Sequence, residues 1–512
     1  MFEDKRYYLD LFEVCEEELG ALVAAGIAGG GSYCDLFFED STYQELLLRD
    51  GIVSSGGFHI DHGAGIRVLS GEKTGYSYSE STDRRALDDA VKSAATIALA
   101  SGGRLAMGAV APCASRPNRV NGRPGTLPPR PVEADSTLPR SAGTNVAPAP
   151  FAPRPTLYPM KTDWRAADIR GFLPYLERLQ QTITAKDPRV AKVIVSLSDQ
   201  VSDILMYNSL GELTFDTRPM GTVAVSVVFT QDGRIENKTV SRSYRTGTEM
   251  LTEALLEELA DEAVKGIDER FEARRPKGGR MPVVMGAGAS GILLHEAMGH
   301  AFEADFNRKG QSIFSGRIGQ KVCSESISIV DDGTLTGNRG AVNYDDEGVP
   351  GQKTYMVRDG VLESYLHDRV SATHYGVSPT GNGRRESFRY APIPRMRATY
   401  MLGGGAGKED IISSIRKGIY VDQFSNGQVQ IGEGDFTFFV KSGYLIEDGR
   451  LTMPVKDINI IGNGPKALAD ITMVGNDLKV DEGAWTCGKG QSCPVSCGIP
   501  TVLVNNLTVG GE

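Results

Sequence analysis

Between Ser101 and Pro159 the chain carries twelve of its 25 prolines, from Pro112 to Pro159, among Ala, Gly, Arg and Ser and with almost no apolar periodicity. A segment of that composition cannot bury enough surface to order itself. It reads as a solvated, partly extended insertion over about 101–160, so the folded parts must be assembled from the segments on either side of it. The chain has 512 residues. Single cores stop growing near ~250–300 residues, so more than one domain is expected. The division that follows is 1–275, interrupted by the insertion, and 276–512. With 40% hydrophobic and 23% charged residues, both parts have the apolar material of ordinary globular domains.

The first part mixes helix and strand. Leu9 to Ile27, Asp83 to Leu99, Ala166 to Ala185 and Met250 to Phe271 have helical spacing. Tyr33 to Phe38, Glu45 to Leu48, Val190 to Leu197 and Val223 to Phe229 have strand patterns. From Met281 onward one helix-like segment is followed by short strand patterns punctuated by Asp332-Gly333, Asp359-Gly360 and Asp448-Gly449, dipeptides suited to two-residue hairpin turns. The expected class is α+β: an amino-terminal mixed α/β domain and a carboxy-terminal, mainly antiparallel β domain.

A net charge of -10 argues against nucleic acid as the main partner. No apolar run spans a bilayer, and the acidic, mixed start Met1 to Arg6 lacks the form of a secretory signal. Seven sparse cysteines without such a signal suit reduced thiols, so the expected location is cytoplasmic.

The chemistry concentrates in His295-Glu296-Ala297-Met298-Gly299-His300. Hydrolysis of a peptide bond at neutral pH needs a nucleophile better than free water, and zinc provides one by lowering the pKa of water to about 7. In His-Glu-x-x-His, the i, i+4 spacing puts two imidazoles on one helix face with a glutamate as general base. Here the second histidine falls at i+5. On a regular helix that step rotates the rings apart by about 140°. A π-bulge or a break at Gly299 is therefore expected. Ser290 is a candidate helix cap after the strand-like Val283-Val284-Met285, and the glycines from Gly286 to Gly291 lack the lysine of a phosphate loop. A third ligand is required, and pattern alone leaves Glu303, Asp305, His367, His374 and Cys487 open.

The segment His295 to Asp305 closely resembles the active segment of the TldD/PmbA peptidase family. The resemblance continues through Phe306 to Arg308, Phe314 to Gly316, Asp345 to Gly348, Pro379 to Ser387, Met473 to Asp477 and Asn506 to Gly511, and covers Gly63 to Ser79 in the first domain. It implies one zinc per catalytic subunit, held in the carboxy-terminal domain by His295, His300 and Cys487 of Cys487-Gly488-Lys489, with Glu296 as general base. Cys493 and Cys497 are expected to be incidental thiols. Ala398 stands where the family leads one to expect asparagine.

The resemblance further implies unfolded or leader-like peptides as substrates, admitted to an enclosed cavity. It implies a heterodimer with a PmbA- or TldE-like subunit lacking the histidine motif, homodimerisation being the less favoured arrangement. A thiolate ligand would weaken the metal as a Lewis acid, which makes an oxyanion donor more valuable, and Arg384, Arg385 and Tyr400 are the candidates for such substrate contacts. Two competing readings are a non-catalytic regulatory protein of the gyrase-modulator type, against which the intact motif argues, and a structural zinc protein with four protein ligands.

Overall fold

The computed structural model describes residues 4–100, 156–430 and 432–511, and most of the proline-rich stretch lies outside them. Its last residues do not behave as linker. Tyr158 is buried, its hydroxyl donates to the Asp216 carboxylate, and the Leu157 amide donates to Asn343.

The amino-terminal region is organised by long strands. In chain order its elements are α1 (Lys5–Leu11), α2 (Glu16–Ile27), β1 (Tyr33–Arg49), β2 (Ile52–Ser70), β3 (Lys73–Ser79), α3 (Arg84–Leu99), α4 (Leu173–Lys186), β4 (Val190–Asn208), β5 (Leu213–Gln231), β6 (Arg234–Tyr244), α5 (Glu253–Val264) and α6 (Ile267–Glu272). The six strands form one sheet in the order β3-β2-β1-β4-β5-β6, antiparallel throughout. The β1–β4 pairing joins segments from both sides of the insertion, from Asp35↔Asn208 to Arg49↔Ile194.

Two expected strands, Tyr33 to Phe38 and Glu45 to Leu48, are thus one. The residues between them are polar but not looped out: Ser41 donates to Glu39, its hydroxyl lies 2.6 Å from that of Ser202, and Gln44 donates to the Trp164 carbonyl. A polar band satisfied across the sheet interrupts the apolar pattern without interrupting the strand. On either side of the band the sheet carries separate cores, one with α2 and α3 and one with α4 and α5. Two expected helices divide, Leu9 to Ile27 at Glu13 (φ 55°) and Met250 to Phe271 at Gly266 (φ 73°), because each site requires a left-handed backbone.

From Gly279 onward strands dominate. The strand β7 (Gly279–Met285) pairs in parallel with Lys417–Gln430 and antiparallel with Val502–Val509. The circuit continues through Ile458–Asn463 and Asp435–Glu447 and closes when the latter pairs with Lys417–Gln430. A second, mixed sheet includes Ile329–Asp332, Ala398–Met401 and Ser496–Ile499. The turns Asp359-Gly360 and Asp448-Gly449 have φ > 0 at both residues, as do Asp50-Gly51 and Asp232-Gly233 in the first sheet. Asp332-Gly333 is not such a turn: the Asp332 carboxylate instead accepts from the Thr334 amide and from the Tyr400 hydroxyl. Inside the largest core, Leu293, Leu294, Met298 and Phe302 pack with Val283, Phe438, Ile460 and Val502. These side chains hold the helix that bears the two motif histidines.

Candidate metal centre

The strand β7 gives way at Gly286 to a tight segment leading into a short helix, Gly291–Leu294, whose first residue lies against the Gly498 backbone so closely that a Cβ would meet it at 2.6 Å. Ser290 does not cap this helix. Its backbone is already helical, and its hydroxyl is 3.4 Å from the Asp422 carbonyl. From His295 to Gly299 the backbone widens into a π turn, and the His300 amide donates to the His295 carbonyl. Residues five apart are thereby brought one above the other, which a regular α-helix would prevent. The two imidazole centroids are 5.1 Å apart with their planes at 80°.

Gly299 has ordinary helical torsions (φ -56°, ψ -49°), so glycine is not there for unusual backbone freedom. It is there for space: a Cβ would meet the Met396 sulfur at 2.2 Å.

The third donor arrives from a remote hairpin, Thr486–Gly488 paired with Ser492–Pro494, in which Cys487 lies opposite Cys493. Arg395 braces it from behind, donating to the Cys487 carbonyl at 2.6 Å and the Gln491 carbonyl at 2.8 Å. Ligand atoms of His295, His300 and Cys487 all lie within 4.8 Å of one another. All three residues are buried, His295 completely. The Cys487 sulfur is 3.3 Å from His300 Nε2. Burial alone would raise its pKa, but the two imidazoles beside it outweigh burial and bring the thiol down to about 4.

Among the described residues neither buried ring nitrogen of His295 has a hydrogen-bond partner, the Cys487 sulfur being the polar group beside it. Leaving a buried polar group unpaired costs about 1–3 kcal/mol, so this imidazole fits a site that takes a cation and suits poorly a purely structural role. A thiolate and two imidazoles form a soft donor set of the kind that selects zinc. Among the described residues the group has three members, which leaves a coordination position for a reacting molecule.

The other candidate ligands have different work. Glu303, fully buried, sets its Oε2 at 2.9 Å from His300 Nδ1 and 3.0 Å from Lys489 Nζ. It holds the ring and leaves Nε2 for the centre. Burial would raise Glu303, but Lys489 and His300 reverse this and hold it at about 2. Burial would likewise lower His300, but Glu303 and Cys487 lift it to about 10. Asp305 pairs with Lys489 at 2.8 Å. His367 is 3.3 Å from the Ser371 hydroxyl, and His374 contacts Glu72 at 2.6 Å. Burial raises Cys493 and Cys497, which therefore remain thiols.

Glu296 stays partly exposed, with its carboxylate 3.9 Å from His300 Nε2. The structure thus gathers His295, Glu296, His300 and Cys487 in one place. Arg384, Arg385 and Tyr400 are buried and occupied elsewhere. Arg384 donates to the Met396 and Pro494 carbonyls, Arg385 to the Asp346 carbonyl and the Tyr76 hydroxyl, and Tyr400 to Asp332. Lys489 and Arg395 were not singled out from the sequence. For Lys489 a signal existed in the Cys-Gly-Lys block, whereas Arg395 acts through backbone carbonyls, which leave no trace in sequence.

Comparison with known proteins matches three consecutive segments to PmbA/TldA metallopeptidase domains: domain 1 over residues 34–98, the central domain over 163–268 and the C-terminal domain over 278–511. The first two fall on the six-stranded sheet and its helices. The chain is 38% identical to a protein of Haemophilus influenzae named metalloprotease TldD homolog, over 94% of this chain and 93% of that one. A protein of the same name from Buchnera aphidicola is 35% identical over 99% of this chain and 96% of its own. Among solved structures, TldE from Thermococcus kodakarensis superposes with a TM-score of 0.71 at 19% identity, covering 96% of this chain and all of that one, which shows a shared fold.

Proposed function

Because this chain belongs to the PmbA/TldD family and is a metallopeptidase, we propose that it cleaves peptide bonds with one zinc ion held by His295, His300 and Cys487 and with Glu296 as general base. The observation that carries the proposal is the fully buried His295, unpartnered at both nitrogens and facing a thiol kept as thiolate. When bound, zinc supplies Lewis acidity toward a carbonyl and toward water.

The chain's own residues do the rest. Glu296, partly open to solvent, takes a proton from the attacking water on its carboxylate and returns it to the leaving amine. Glu303 keeps His300 in the tautomer that presents Nε2, and Lys489 neutralises Glu303 from the far side. Arg395 fixes the hairpin so that Cys487 stays in register. Arg384, Arg385 and Tyr400 enter as substrate contacts in a restricted sense: each holds an internal partner and reaches a peptide only by exchanging it.

We take the substrates to be unfolded or leader-like peptides, admitted to a cavity completed by a PmbA/TldE-like subunit in a cytoplasmic heterodimer. The likeness in fold to TldE supports such a pairing. No helix among the described residues is long and apolar enough to cross a membrane.

The test is to co-express the chain with a TldE-like subunit and measure bound zinc and cleavage of unfolded peptides. Glu296→Gln should retain zinc and lose cleavage by about 10²–10⁴-fold. Normal cleavage by that variant would sink the general-base assignment. Unchanged zinc content in both His295→Ala and Cys487→Ser would sink the ligand set.

A further inference from the structure

A second group of buried cations lies apart from the metal centre. The polar band of the six-stranded sheet and the loops of the carboxy-terminal region border a cavity of about 270 Å³, lined by five arginines, Arg218, Arg245, Arg384, Arg385 and Arg397, against three carboxylates, Glu39, Asp346 and Glu386. Two have carboxylate partners. Arg218 pairs with Asp216 at 3.1 Å and Asp346 at 2.5 Å, and Arg385 lies 3.7 Å from Asp35.

Among the described residues the other three have no carboxylate in ion-pair contact. Among the described residues the Arg384 side chain donates only to the carbonyls of Met396 and Pro494, and that of Arg397 only to the Gly381 carbonyl. Among the described residues the Arg245 side chain makes no hydrogen bond or ion pair, and its guanidinium stands 5.5 Å from the centre of the Tyr158 ring. Arg245 is 7% exposed and Arg397 3%, and Arg245 Nε and Arg397 Nη2 are buried N–H groups with no acceptor among the described residues.

Such an arrangement is costly on its own. Asp345 and Asp346 act on Arg397, and Asp216 on Arg245, but among the described residues no carboxylate is in ion-pair contact with either, and desolvated guanidinium groups whose counter-charges stand off repel one another in a medium that screens poorly. Burial pulls Arg245 down to about 10 and Arg397 to about 9, and Arg384 acts in the same direction on both. Both are nevertheless cations at neutral pH. What relieves them is an anion with several acceptor oxygens in one plane or tetrahedron, because the guanidinium fork matches carboxylate and phosphate geometry. At about 30 Å³ per water, the cavity accommodates one such group with a few waters.

We infer that this cavity is an oxyanion-binding site in which Arg245 and Arg397 supply the donors, with Arg384 beside them, and that its ligand is a carboxylate or a phosphate. The site is separate from the metal donors and does not depend on the zinc assignment. It adjoins them, because Ser492 and Pro494 of the hairpin carrying Cys487 form part of its wall.

The experiment is a titration of the full chain with inorganic phosphate at constant ionic strength, balanced with chloride and followed by calorimetry and thermal unfolding. Saturable binding with a rise in Tm is expected. Arg245→Met and Arg397→Met should each weaken it by about ten-fold or more. Arg170→Gln should leave it unchanged, since that side chain is 84% exposed. In chloride alone Arg245→Met should keep or raise Tm, because it removes an unpaired buried charge. N-acetylalanine and its amide then separate the sources. Displacement of phosphate by the acid and not the amide assigns the site to a peptide-borne carboxylate; displacement by neither assigns it to a phosphate group. The inference is overturned if neither phosphate nor N-acetylalanine binds, if binding is unaltered in both arginine variants, or if Arg245→Met lowers Tm in chloride as the loss of an ion pair would.

Discussion

Arg67 in the amino-terminal sheet and His295 in the π turn are both buried almost without remainder, at 1% and 0% exposure, yet their surroundings are opposite. Arg67 Nε donates to Asp35 at 2.8 Å, and its Nη1 lies 2.6 Å from Glu347, so a strand of the first sheet is tied by charge to a loop of the carboxy-terminal region. Among the described residues His295 has no hydrogen-bond partner at either nitrogen. The difference separates two uses of buried polarity. A cluster whose opposite charges are paired is structural, even though Asp35 Oδ1 and Glu347 Oε1 accept no hydrogen bond among the described residues, and a cluster that leaves donors facing one another is prepared for a ligand.

That contrast can be broken from either side. The largest expected effect is on the closed cluster: Arg67→Met strands two buried carboxylates and should cost about 3–5 kcal/mol in urea unfolding, with little change in metal content. A loss under about 1 kcal/mol would show that the pairing is not what holds the two regions together. On the open cluster the sign depends on the ligand. A chelator should lower the stability of the zinc-loaded chain by about 3–4 kcal/mol at metal concentrations of 100–1,000 times Kd, and should leave Cys487→Ser unaffected. Equal sensitivity of the two proteins would place the metal elsewhere.

A smaller effect belongs to the residue that joins the two kinds of cluster. Glu303 is internally paired and also supports a donor, so Glu303→Gln should weaken metal affinity by about 10–100-fold while His295 and Cys487 remain in place, read by competition with a chromogenic chelator. The smallest concerns a histidine that is buried without being a donor. Burial holds His367 neutral and depresses its pKa from 6.5 to about 4. Its folded pKa lies below the unfolded one, so the stability it contributes is present above about 6.5 and is lost as pH falls toward about 4. The stability advantage of wild type over His367→Gln should shrink by on the order of 1–2 kcal/mol between pH 7.5 and 5. A constant difference would mean that His367 is not held neutral by the fold.

Local pattern carried much of the architecture. Apolar spacing located the principal helices, and the Asp-Gly pairs at 359–360 and 448–449 located hairpins, because these depend on near neighbours in the chain. It failed where tertiary contacts replaced local ones. The middle of β1 is polar, and only the satisfaction of Glu39, Ser41 and Gln44 by Ser202, Phe388 and Trp164 keeps it extended. Asp332-Gly333 has the composition of a hairpin turn, but the Asp332 carboxylate is taken by Thr334 and Tyr400. The burial of Tyr158 likewise depends on Asp216 and Asn343, which no pattern near the prolines announces.

The sequence by itself determined the motif from His295 to His300, the demand for a non-α turn between its histidines, and the family whose blocks recur along the chain. A five-residue step and two rings on one centre are incompatible in regular helix, so a helical conflict could be read without coordinates. Tertiary structure alone decided how the conflict is resolved, with a π turn whose Gly299 makes room for Met396, and which residues serve as donors and which as supports. It alone placed Glu303 behind His300, Lys489 behind Glu303 and five arginines around one cavity. Those are properties of distances between remote segments and of exclusion from water, and neither quantity exists until the chain has folded.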